Sequence, residues 1–175
     1  MSREYVGSRG ATEATGSAAG GAHWVQRMRE HYGLTPLRPP DGRYGNGHRI
    51  GVGGGPVLEA ISAPGHLRDH YCFMEITTGT LLTTDVDLSG FGPWYGNPEA
   101  DIDRFEVDIR ELAAKEAHQA CSAHKPPVSI DLRKAFHAYL DALERQLSTV
   151  LNLCRSPISL EKLVEVSPYY GNRFP

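Results

Sequence analysis

Three short apolar runs, Val57 to Ala63, Tyr71 to Thr77 and Leu81 to Val86, follow one another through the middle of the chain with turn residues between them. Pro64-Gly65 interrupts the first and second, and Gly79-Thr80 turns the second into the third, so all three read as strands. One more short strand is expected around Arg49 to Val52, inside the Gly-rich connection that follows Pro36, Pro39 and Pro40. The pattern then becomes helical. Ile102, Phe105, Ile109, Leu112 and Ala113 recur at helical spacing behind a capping signal at Asn97-Pro98-Glu99. Gln119 to Ser122 forms a short strand running into His124. A long helix is then expected from about Ile130 to Cys154, its apolar stripe made by Leu132, Phe136, Tyr139, Leu140, Leu143, Leu147 and Leu151, with Asp131 near its N-terminus favouring the dipole. A short helix begins near Ser159.

The rest of the sequence adds little to this middle. Residues 1 to 22 are rich in Gly, Ala, Ser and Thr without apolar period and are read as a flexible tail, and His23 to Tyr32 places Trp24 and Met28 on one face of a short helix that stops at Gly33. With 175 residues and 40% hydrophobic content, one domain with tails is expected. A net charge of −3 gives no electrostatic reason to expect nucleic acid or an anionic membrane as partner. No apolar run approaches the roughly 20 residues a membrane helix needs, nor is there the apolar core of a signal peptide, so a cytoplasmic location is the default expectation. Cys72, Cys121 and Cys154 are odd in number and widely spaced, which suits neither a disulfide framework nor a metal motif; reduced or buried thiols are expected.

Chemistry concentrates in the turn Ala63-Pro64-Gly65-His66-Leu67-Arg68-Asp69-His70 and at Asp85, at the end of the third run. Strand ends and the loops beyond them are where side chains converge while a scaffold holds them still. Imidazole and carboxylate together form the ligand set that zinc or iron accepts, and a position left to water brings that water's pKa toward neutrality and yields a hydroxide nucleophile. The plainer alternative is that His66 and His70 are exposed turn residues and Asp85 a strand-ending cap, and residue by residue this alternative is favoured. His23, His31 and His48 have no metal-motif spacing, and His118 and His137 fall on predicted helices as surface or packed residues. Gly51-Val52-Gly53-Gly54-Gly55 lacks the Gly-Lys-Ser/Thr ending of a phosphate loop and reads as a turn.

Taken in order, Gly-His-x-x-x-His at 65–70, Leu-Leu-x-x-Asp-x-Asp-Leu-Ser-Gly-Phe-Gly-Pro-Trp-Tyr-Gly at 81–96, Asp-Ile-Asp-Arg-Phe at 101–105 and Ser-x-His-Lys at 122–125 resemble a branch of the metallo-β-lactamase-fold hydrolases over roughly residues 45 to 172. The resemblance implies that His66 is a metal ligand, that Asp85 is the metal-bridging and catalytic carboxylate, and that His124 closes the second metal position. It places His70, Asp87, Trp94 and Tyr95 around the pocket in supporting or substrate-facing roles. Zinc, or alternatively iron or manganese, is the implied cofactor, as one ion or none.

Two departures from that pattern stand out. The family's His-x-His-x-Asp-His cluster occurs nowhere in the sequence, and Thr84 stands where the family commonly has Gly before the bridging Asp. The implied fold is α/β, a metallo-β-lactamase-like half of an αβ/βα sandwich: a mixed sheet with helices on one face, spanning residues 23–155 between the tail and a C-terminal extension at 156–175. The uncovered face, expected to bear Val57 and Ile61, calls for a homo-oligomer or a separate N-terminal half as partner. The implied activity is a metal-dependent hydrolase using metal-bound hydroxide on a small-molecule substrate whose class the sequence does not reveal. The alternative is a truncated, catalytically silent domain of this fold acting as an oligomerisation or interaction module.

Overall fold

The computed structural model describes residues 18–33, 41–88, 90, 92–94, 96 and 98–166. Contacts divide the chain into two units, Met1–Tyr44 and Gly45–Pro175. In the first, helix α1 runs Ala18–Tyr32 and ends at Gly33, whose φ of 61° is the left-handed stop that glycine supplies. It opens five residues before the expected His23, within the stretch read as tail, because apolar spacing carries no signal in Ala-Ala-Gly-Gly-Ala.

The second unit orders as β1 (Arg49–Gly51), β2 (Val57–Ser62), β3 (Tyr71–Glu75), β4 (Thr80–Thr84), α2 (Ile102–Ala113), β5 (Gln119–Ser122), α3 (Leu132–Leu153) and α4 (Leu160–Val166). The strands form one sheet in the order β1-β2-β3-β4-β5, antiparallel except for the parallel pair β4–β5. Short turns make the antiparallel pairs, whereas α2 provides the crossover that a parallel pair requires. The Gly51 to Gly55 run is the β1–β2 turn, with Gly53 and Gly54 at positive φ.

Pairing aligns Glu59 with Met74 and Leu81, and sets Ile61 beside Cys72. Ile61, Cys72 and Leu81 pack with Phe105, Ile109 and Leu112 of α2 and with Phe136, Tyr139 and Leu140 of α3, so the helices cover one face of the sheet. Each such side chain taken fully from water stabilises the fold by about 1.5–3 kcal/mol. The opposite face carries Leu58, Ala60, Phe73, Leu82 and Cys121, and all but Ala60 are half-buried. The sequence reading assigned Ile61 to the uncovered face. It lies on the helix side instead, because the alternation of β2 is set by its pairing with Cys72.

Three further expectations are adjusted. Helix α2 is capped by Asp101, not by the Asn97-Pro98-Glu99 signal: the Asp101 backbone is extended (φ −116°, ψ 105°) and its carboxylate accepts the Arg104 N–H at 2.9 Å. His118 lies on the segment entering β5, where its N–H bonds the Gly79 carbonyl at 2.9 Å, rather than on a helix. The stripe of α3 is buried only in part, since Leu147 and Leu151 are 54% and 61% exposed. Cys72 is buried, Cys121 half-buried and Cys154 exposed, all as free thiols, and burial pushes the Cys72 thiol up to about 12.

Candidate metal centre

His66 sits on the turn between β2 and β3, and the turn is held from below by α2. Gly65 N–H donates to Asp108 Oδ2 at 2.7 Å, and the Asp101 N–H donates to the Gly65 carbonyl at 2.9 Å. Approach is so close that a Cβ on Gly65 would collide with the Phe105 Cα and N; only glycine fits. Asp108 is 1% exposed on the apolar side of α2. Burial pushes its carboxyl up, while the Gly65 N–H and the Arg104 charge oppose that shift. Arg104 Nε lies 2.8 Å from Asp108 Oδ1, a charge contact off the hydrogen-bond line. Removing the Asp108 acceptor would strand a buried N–H, at a cost of about 1–3 kcal/mol.

The His66 ring is buried, 5.7 Å between centroids from Phe105. Its Nδ1 donates to the Trp94 carbonyl at 3.0 Å, and Trp94 is brought there by a loop whose Gly92 packs against Ala142 of α3. With Nδ1 carrying the proton, Nε2 presents a lone pair. That atom lies 3.9 Å from Asp85 Oδ2. A carbonyl that fixes the tautomer of one ring nitrogen while the other faces a carboxylate is the outer support that metal-ligating histidines characteristically have.

Asp85 follows β4 immediately beyond an irregularity. The β4–β5 register shifts between Leu82 and Thr84, and Thr84 has φ 49°. Because β5 runs parallel to β4, Thr84 pairs with Ser122, its carbonyl accepts the Ala123 N–H at 2.8 Å, and His124 emerges beside Asp85. His124 Nε2 is 3.0 Å from Asp85 Oδ1, on a side chain 66% exposed. The Asp85 carboxylate thus has His66 at one oxygen and His124 at the other. Among the described residues no group of three or more His, Cys, Asp or Glu side chains stands where it could hold a metal ion.

The expected pocket residues divide. His70 is buried: Nδ1 donates to the Ala63 carbonyl at 2.9 Å and Nε2 lies 2.7 Å from the Thr84 hydroxyl. Burial holds its imidazole below the ordinary value, which favours the neutral ring. Asp87 is half-buried and hydrogen-bonds Tyr139, whose hydroxyl is pushed up chiefly by burial and then by the Asp87 charge. Trp94 is 39% exposed beside His66. Tyr95 lies outside the described residues. Asp108, Thr84 and Tyr139 were not singled out from the sequence as site residues, though an acidic residue on the apolar stripe of α2 was a signal for the first of them.

No protein-family model matches the chain, and no curated protein matches it. Solved structures do. A metallo-β-lactamase family protein from Thermus thermophilus superposes with a TM-score of 0.63 at 22% identity, over 96% of this chain and 60% of its own. A β-lactamase domain protein from Burkholderia ambifaria gives 0.62 at 17%, over 85% and 49%. The protein TTHA1623, solved in a di-iron-bound form, gives 0.50 at 18%, over 63% and 55%. The chain therefore has the metallo-β-lactamase fold, an α/β architecture, and spans between 49% and 60% of the length of these structures.

Proposed function

We propose that this chain carries the strand-end half of a metal-dependent hydrolase centre, with His66 Nε2, Asp85 and His124 Nε2 as the metal-holding atoms. The observation that carries the proposal is the commitment of His66 Nδ1 to the Trp94 carbonyl, which leaves Nε2 facing Asp85. Two imidazoles and a carboxylate suit zinc, iron or manganese to differing degrees, and three protein donors plus water suffice for a catalytic zinc site. The donor chemistry fits. The short His124–Asp85 contact must open for both groups to serve as ligands. The chemistry a bound ion supplies is a water acidic enough to give hydroxide near neutral pH.

The chain's own part is positional. The Gly65 turn, clamped on α2, holds His66 still and excludes water from its inner side. Asp85 and His124 stand at the more open side, where a substrate ester, thioester, amide or phosphoester would approach past Trp94. Asp87 acts through Tyr139, anchoring the loop after β4 on α3. The di-iron form of TTHA1623 supports metal use by this fold.

Elemental analysis of untagged, chelator-free protein tests the proposal, with the mass of the assembly taken on the same sample. About one metal ion or more per chain, lost in Asp85→Ala and His66→Ala, is the expected result. A folded sample that binds none, or an Asp85→Ala protein with unaltered metal content, overturns it. A second reading, an association module without catalysis, is favoured by one observation: the half-buried apolar row Leu58, Phe73, Leu82 and Cys121 on the face away from the helices.

A further inference from the structure

Thr84 breaks a local rule. A β-branched residue at φ 49° is a conformational outlier, since its Cβ crowds the following carbonyl, and such outliers persist only where their surroundings hold them. What holds this one is visible. The hydroxyl lies 2.7 Å from His70 Nε2 and 3.1 Å from the Tyr71 carbonyl, while Cys72 Sγ stands 4.0 Å away. His70 in turn donates from Nδ1 to the Ala63 carbonyl, the start of the turn that carries His66. Its ring packs edge-on against the His66 ring with centroids 5.2 Å apart. One side chain thus joins the residue immediately before Asp85 to the loop that presents His66.

Glycine at position 84 would take the same backbone conformation freely but offer nothing to His70. Threonine accepts the strain and gains a tie between two segments that share no strand pairing at that point: the β2–β3 turn and the end of β4. The β4–β5 register shift at the same place means the sheet ladder alone does not fix the direction of Asp85.

Resting on the metal-site proposal above, we infer that Thr84 and His70 are positioning residues: their hydrogen bond sets the angle at which Asp85 faces His66, and so the affinity of the site for a metal ion. Neither is one of the proposed ligands. Outer-sphere partners of ligands characteristically change metal affinity by about 10–100-fold when removed.

Zinc affinity, measured by competition with a chromophoric chelator, decides the matter when read beside the thermal midpoint of the same samples. Thr84→Val keeps the branched shape and deletes the hydroxyl, so zinc affinity is expected to fall by about 10-fold or more. Thr84→Ser restores the hydroxyl and should recover affinity to within about threefold of the parent, the rescue that a merely space-filling role would not give. If Thr84→Val does not fold, Thr84→Gly replaces it: the backbone is relieved, so the midpoint holds or rises while zinc affinity still falls. Zinc binding at parental strength by the folded Thr84→Val or Thr84→Gly protein, or a Thr84→Ser protein as weak as Thr84→Val, overturns the latch. Asp85→Asn separates the two levels. If it loses zinc while the Thr84 variants do not, only the latch fails; if it binds zinc like the parent, or the parent takes up none, the metal-site proposal fails and the latch's role with it.

Discussion

Glu75 closes the β3–β4 turn with its carboxylate bonded to the Thr78 hydroxyl and to the N–H groups of Thr78 and Thr77, and these donors hold it down to about 2 from an ordinary 4.5. A depressed folded-state value means that the stabilising contribution is present above the unfolded value and disappears as pH falls from about 4.5 toward 2. Glu75→Gln should therefore lose stability at pH 7 and show a smaller drop between pH 5 and pH 3 than the parent, measured by urea denaturation at each pH. At this scale the sequence was readable wherever chemistry coincided with a strand end: His66, Asp85 and His124 could be picked from residue type, position and resemblance. Thr84 could not be picked as a site residue, and Asp108 only as an acidic residue on an apolar stripe, because their roles are contacts across 14 and 43 residues respectively, and no local spacing encodes such a partner. Tyr139 looked like one more apolar stripe residue until its hydroxyl met Asp87.

Element boundaries followed from turn residues and periodicity, and the strands begin and end within about two residues of where the apolar runs do. The cap of α2 was misplaced because Asn-Pro-Glu and Asp-Ile-Asp both offer capping chemistry, and only the extended backbone at Asp101 decides between them. Periodicity also overstated α3. Its stripe is continuous in sequence, yet Tyr139, Leu140 and Leu143 are buried while Leu147 and Leu151 stay exposed. Truncation along the helix should reflect this. Leu140→Ala is expected to cost about 2–5 kcal/mol, whereas Leu151→Ala should stay within about 0.5 kcal/mol of the parent. Chemical denaturation of the two variants checks the contrast, and equal costs would mean that something covers the end of α3 in solution.

At the scale of the molecule, the sheet buries one face under its own helices and leaves a half-buried apolar row on the other, while the solved structures of the same fold extend well beyond the length this chain covers. Which residues face away from the helices was not legible, since Val57 and Ile61 differ from Leu58 and Leu82 only in pairing parity, which long-range register sets. Leu82→Asp on that face tests whether another chain covers it. An assembly dissociating to monomers in sedimentation analysis, with helical content retained, is the expected outcome. An unchanged sedimentation coefficient would show that the face is not an interface.

The single parallel pair in the sheet has a consequence for which parts of this chain can be trimmed. Two neighbouring strands that run the same way cannot be joined by a tight hairpin; the chain must travel back along the sheet before it can start again. Residues 85–118 are that return path, and α2 is most of its regular structure. Deletions that would be harmless in the β1–β2 turn would here leave β5 able to pair only in the opposite direction, carrying His124 to the far end of the sheet from Asp85. The return path from Asp85 to β5 is thus the stretch whose length evolution or an engineer is least free to change, because it sets the end of the sheet at which His124 emerges.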